Sequence, residues 1–153
     1  MSEIKHLIDN TDKQILNVLL DNSRLSYREI AKKIKVSVAT VMHHVNKLEK
    51  EKIIKKYSAI LDYEKLGYDV EITVHLKIGK GKLLELEQKL SKHKNVYAVY
   101  DITGKSDAII IARFKNRRSM DSFLKKIQTY DFIERTETSL ILNTIKEDFL
   151  KVE

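Results

Sequence analysis

Apolar positions recur along this chain with two different periods, and the change falls near its middle. In the first part the spacing is helical. Asp9 to Thr11 offers capping residues ahead of Ile15, Leu16, Val18 and Leu19, and Asp21-Asn22-Ser23 closes that segment. Ser26 followed by Glu29 is a capping box, in which each side chain satisfies the other's orphan backbone N–H. Ile30, Ala31 and Ile34 then form a short stripe. After only Lys35 and Val36 comes Ser37, a second good N-cap. It opens SVATVMHHVNKLEKEKII, where Val41, Val45 and Leu48 fall at i, i+4 and i+7. A short helix, a tight turn and a longer helix bury little alone. The first helix supplies the missing wall, which predicts a helix-turn-helix on a three-helix core.

The second part alternates with period two. In DVEITVHLKI, Val70, Ile72, Val74, Leu76 and Ile78 alternate with Glu71, Thr73, His75 and Lys77, as a strand requires. GKLLELEQKLSKH returns to helical spacing through Leu83, Leu86 and Leu90. VYAVYDIT and AIIIARF, separated only by GKSD, read as a hairpin. NRRSMDSFLKKIQTY is helical, with Met120, Phe123, Leu124 and Ile127 on one side, and Thr136 to Lys146 reads as a last strand. The order β-α-β-β-α-β is the ferredoxin-like arrangement. Between the halves, IIKKYSAILDYEKLGY has no proline and one glycine, so an ordered hinge strand is expected. The predicted class is α+β: a three-helix, winged-type helix-turn-helix domain over 1–53, the hinge over 54–67, and a ferredoxin-like domain over 68–153.

Composition narrows the function classes. At 153 residues with 42% hydrophobic and 33% charged residues, the chain suits one or two globular domains. No apolar run approaches the roughly 18 residues that span a bilayer, and MSEIKHLIDN lacks the basic-then-apolar pattern of a secretory leader. The absence of cysteine excludes disulfides and thiolate metal sites and points to the cytoplasm. Net charge is +7, and its placement matters more than its size. Between Asn22 and Lys56 ten basic residues meet three acidic ones, while the remainder balances. So local an excess is the footprint of a polyanion-binding surface.

DNTDKQILNVL, LSYREIAKKIKVSVATVMHHVNKLEKEKIIKKYSAILDYEKLGY and VYAVYDITGKSDAIIIARF, in this order, resemble the leucine-responsive/asparagine-regulator (Lrp/AsnC) family of prokaryotic transcription factors, over nearly the whole chain. The resemblance implies a DNA-binding N-terminal domain and a ferredoxin-like domain that dimerises, often assembles to octamers, and often binds an amino-acid effector. Three departures stand out. His44 replaces a usual arginine, Lys52 replaces a glycine after the recognition helix, and Lys105-Ser106 replaces an acid-aromatic pair.

In a helix-turn-helix the N-terminal part of the second helix meets base edges. The candidates are Ser37, Val38, Ala39, Thr40, His43 and His44, with Asn46 further along. His44 sits near the edge of the apolar stripe, so packing against helix two competes with base contact. Arginine, the commonest reader of guanine, is absent from the helix. Methyl groups of Ala39, Thr40 and Met42 suit thymine and Asn46 suits adenine, so pseudo-palindromic A/T-rich sites are expected. Arg24, Arg28, Lys47, Lys50, Lys55 and Lys56 are assigned to phosphates, which position without carrying sequence information. Imidazoles titrate near pH 6.5, so DNA affinity is expected to rise as pH falls.

TSLILNTI and AIIIARF carry apolar residues on both faces, which points to burial of the open sheet face against a second copy. For an amino-acid effector, Thr103, Gly104 and Asp107 of the hairpin offer backbone N–H groups for a carboxylate and an acid for an ammonium. Equally, GKSD reads as a plain turn with Asp107 capping backbone. The resemblance adds Thr136, Thr138, Ser139 and Leu140, across a dimer–dimer contact. Lys105 either favours an acidic effector or signals none. No cofactor, metal site or catalytic cluster is expected: phosphate loop, thiol nucleophile and ligand-spaced His/Asp/Glu are all missing. The expected role is a cytoplasmic, nucleoid-associated regulator with double-stranded DNA as partner. An effector-independent architectural protein that coats DNA is the alternative.

Overall fold

The computed structural model describes residues 8–79 and 81–153 and divides them into two compact units. The first holds the chain up to Ile60 together with Lys146–Glu153. Helix α1 (Asn10–Asp21) starts at Asp9, whose carboxylate accepts the Asp12 N–H while Asp12 accepts the Asp9 N–H. Helix α2 (Tyr27–Ile34) starts at the expected Ser26/Glu29 box and ends at Lys35, in left-handed conformation at φ 60°. The N–H groups of Lys35 and Val36 both return to the Ala31 carbonyl, closing the tight turn. Ser37 caps α3 (Val38–Lys50) through the Thr40 N–H. Ile15, Ile30, Ala31, Val41, Val45 and Leu48 bury together as the core of this unit.

The C-terminal segment joins this unit, not the sheet with which the sequence groups it. The Asn17 amide donates to the Val152 carbonyl at 2.9 Å and accepts the Val152 N–H at 2.8 Å, a two-point pairing on α1. Lys151 adds an ion pair with Asp21.

The second unit, Leu61–Ile145, is a four-stranded antiparallel sheet with strand order β2-β3-β1-β4. Its elements follow the expected order: β1 (Val70–Ile78), α4 (Leu83–Leu90), β2 (Val96–Asp101), β3 (Ala108–Phe114), α5 (Arg117–Gln128) and β4 (Ile133–Leu140). The Leu83 and Leu86 side chains, expected to face the core, lie outside what is described. One sheet face carries Ile72, Val74, Leu76, Ile110, Ala112 and Phe114, which pack with Leu90, Phe123 and Ile127 from the helices. The other, open face changes character across the sheet, with Arg113 stacked against Tyr63 and Tyr97. On β2 and β3 it presents Tyr100, Ile109 and Ile111; on β1 and β4 it presents Glu71, Thr73, His75, Lys77, Arg135, Glu137 and Ser139.

Two expectations need correction. Residues 55–62 form no strand, and Ile60 is 78% exposed. An isolated extended segment has no partner for its backbone groups, so apolar β-formers alone do not make a strand. The last strand runs from Ile133 to Leu140 rather than from Thr136 to Lys146. Its partner β1 is used up there: Ile72 pairs Leu140, and beyond the Ile141–Glu71 bond, Leu142 and Ile145 stand exposed.

Candidate nucleic-acid interface and sensing face

The recognition helix is held from one side and open on the other. Val41, Val45 and Leu48 are fully buried against α1 and α2. The opposite face exposes Val38, Ala39, Met42, His43, Asn46 and Lys50, with Val38 and Met42 about half accessible at 45% and 48%. Four residues apart, Val38 and Met42 sit together as a small apolar pair on this exposed face. Thr40 is half-buried and shares a 2.8 Å hydroxyl contact with Ser37.

His44 and Lys47 do not face outward as their assigned roles require. His44 Nδ1 lies 2.7 Å from one oxygen of Asp12, and Lys47 Nζ donates to the other at 2.8 Å. Asp12, on α1, has no accessible surface. Burial pushes its carboxyl up, but the contacts from Lys47, His44 and the Asp9 N–H together hold it below its ordinary value. Asp12 in turn raises the Lys47 ammonium above its usual range. Asp9, Asp12 and His44 bring their ligand-type atoms within 4.8 Å of one another. The Lys47 ammonium already supplies the positive charge that this group attracts. These side chains therefore clamp α3 to α1, and the packing competitor of His44 is Asp12 rather than helix two.

The other phosphate candidates, Arg24, Arg28, Lys50, Lys55 and Lys56, are exposed and make no ion pair among the described residues. Glu49, on the same helix, accepts a hydrogen bond from the Tyr57 hydroxyl at 2.8 Å. Burial and Glu49 push the Tyr57 hydroxyl well above its ordinary pKa, so it stays a donor. Lys52 sits in left-handed conformation at φ 57°, the geometry a glycine adopts without strain.

The proposed effector residues fall in several places. Thr103 and Gly104 are exposed at the hairpin tip, with Gly104 at φ 115°. Asp107 is already engaged: one oxygen takes the Ile78 N–H at 2.8 Å and the other takes Lys77 Nζ at 2.8 Å. Those bonds hold its carboxyl below the usual range. It caps the end of β1, with each carboxylate oxygen already holding one donor. On β4, Ser139 lies opposite Thr73 on the open face, while Thr136, Thr138 and Leu140 lie opposite Leu76, Val74 and Ile72 on the other. Strand alternation thus separates residues grouped in the sequence. Sequence reasoning missed His75, Lys77, Arg135 and Glu137, which with Lys105 and Ser106 line a cleft of about 340 Å³. Only the β1–β4 register, which no local pattern reveals, brings them together.

A three-helix unit with an exposed, cation-flanked recognition helix, joined to a ferredoxin-like unit, defines a DNA-binding transcription regulator with a ligand-binding domain. Residues 8–55 match the winged helix-turn-helix DNA-binding model, and residues 70–150 match the Lrp/AsnC ligand binding domain. The chain belongs to the Lrp/AsnC family of regulators. It is 41% identical over 143 residues to an HTH-type transcriptional regulator of Pyrococcus abyssi, covering 94% of this chain and 97% of that one. The regulator FL11 of Pyrococcus horikoshii is 33% identical, with 92% and 93% covered. Among solved structures, E. coli AsnC superposes with a TM-score of 0.88 at 29% identity, covering 95% of this chain and 99% of that chain. A Neisseria meningitidis regulator solved as an L-Met complex shares the fold at TM-score 0.86 and 23% identity, with 95% and 96% covered. Among the described residues no helix is long and apolar enough to cross a membrane.

Proposed function

We propose that this regulator acts in the cytoplasm, on the nucleoid, as a dimer or an octamer that sets two recognition helices into successive major grooves of a pseudo-palindromic, A/T-rich site. The observation that carries this reading is the exposed face of α3. Val38, Ala39 and Met42 suit thymine methyl groups, and Asn46 suits adenine. Ser37, Thr40 and His43 complete the base-facing set. Arg24, Arg28, Lys50, Lys55 and Lys56 take phosphates. His44 and Lys47 act indirectly, holding the helix at its angle through Asp12. His43 is then the imidazole that remains in the base-facing set. The apolar half of the open sheet face, with Tyr100 at 55% exposure beside Ile109 and Ile111, is the surface offered to a second copy. An amino acid bound to the sheet unit modulates the assembly; the protein catalyses no reaction.

In-vitro selection of binding sites tests the reading, with A/T-rich half-sites expected and G/C-dominated ones contradicting it. The exposed valine and methionine, which make no hydrogen bonds, also suit an effector-independent protein that coats DNA. Operator binding about 10³-fold tighter than binding to random duplex at the same salt separates the regulator from that alternative.

A further inference from the structure

The cleft on the polar half of the open face is out of electrostatic balance. Lys77 and Arg135 stand directly opposite each other on β1 and β4, and like charges in that position destabilise a strand pair. Lys77 is answered by Asp107 at 2.8 Å. Among the described residues Arg135 is not answered, nor is Lys105, which the Gly104 turn places at the cleft wall. Glu137, across the strand pair from His75, likewise has no ion-pair partner among the described residues. The cleft therefore holds two uncompensated cations and one uncompensated carboxylate around about 340 Å³. That volume lies at the small end of ligand pockets, which span roughly 300–1,000 Å³.

We propose that this cleft binds an acidic α-amino acid, a molecule with two carboxylates and one ammonium. Its charges are the complement of those left over on the wall. The Arg135 guanidinium forks one carboxylate in the two-bond geometry that favours arginine. Lys105 takes the other, with the Ser106 hydroxyl beside it, and Glu137 takes the ammonium. A neutral amino acid leaves one cation unanswered. An oxo-diacid, which lacks the ammonium, leaves Glu137 facing a dianion. The inference rests on the reading that the sheet unit senses an amino acid, and it names the class.

Titration calorimetry of the full chain with L-glutamate, L-aspartate, 2-oxoglutarate, L-leucine and L-methionine tests it. The two acidic amino acids are expected to bind at least about tenfold more tightly than the other three, the effect of a single charge-assisted hydrogen bond. R135Q and K105Q should each weaken the acidic ligands by about tenfold or more, and E137Q should narrow the gap between L-glutamate and 2-oxoglutarate. Binding of leucine or methionine in preference to the acids overturns the proposal and leaves amino-acid sensing intact. Silence with every amino acid overturns both. The ligand comparison uses the unaltered chain and so stands even if a variant fails to fold.

Discussion

Replacing Asp12 by Asn asks whether a buried charge holds the recognition helix. Asp12 is 0% accessible and accepts from His44 at 2.7 Å, Lys47 at 2.8 Å and the Asp9 N–H at 3.0 Å. Asparagine fits the same volume but turns an amide donor towards one of those three donors. Losing one partner of a fully buried pair costs about 3–5 kcal/mol, and one charge-assisted hydrogen bond about 1.5–3 kcal/mol. His44 and Lys47 keep 14% and 28% of their side-chain surface accessible, so water relieves part of the loss. The expected destabilisation is about 2–3 kcal/mol, which lowers the melting temperature of a unit this small by roughly 10–20 °C. Thermal and urea unfolding followed by circular dichroism measure it.

The pH dependence supplies a second check. The Asp12 carboxyl titrates below its ordinary value of 3.8 in the folded chain, so its contribution is present above that value. It disappears as pH falls through the lowered folded value. The gap between wild type and D12N should therefore still be present at pH 5 and close only in acid. A loss below about 0.5 kcal/mol, or a gap that persists unchanged into acid, refutes the clamp.

Other consequences are independent of the clamp. K52G removes a left-handed side-chain penalty of about 1–2 kcal/mol and adds unfolded-chain entropy worth about 0.5–1, so a net gain of about 0.5–1 kcal/mol is expected in urea melts. A loss of stability would place the strain elsewhere. His93 packs on the Phe123 ring at 4.8 Å, and burial, then Lys126 and Lys94, lower its pKa from 6.5. A histidine with a lowered folded pKa stabilises above the unfolded value, and that stability drains as pH falls below it. The sheet unit should thus weaken from pH 7 to 5.5, and H93Q should flatten the trend; equal slopes in both proteins would contradict this.

Features set by neighbours in the chain were readable in the sequence. Ser26 with Glu29, and Ser37 before its helix, start α2 and α3 where their capping chemistry places them. Lys52, which stands where the family's glycine is usual, takes the left-handed conformation that a glycine adopts without strain. What escaped depends on distant partners. Lys47 lies on the polar side of its own helix, yet the crossing of α1 brings Asp12 to it from 35 residues away. Asp107 read either as an effector contact or as a cap within its own turn, whereas the N–H it caps belongs to Ile78, 29 residues earlier. Lys77, Arg135 and Glu137 acquire meaning only through strand register.

The most direct measurement is the salt dependence of duplex binding by K50Q/K55Q/K56Q beside K47Q. Each phosphate contact contributes about 0.9 to the slope of log affinity against log salt. With two recognition units on the duplex, the triple variant should flatten the slope by about 5, a loss that three contacts per unit predict. K47Q, whose lysine faces Asp12, should leave the slope nearly intact while lowering the melting temperature. A folded triple variant that keeps the wild-type slope would contradict the placement of this surface on DNA.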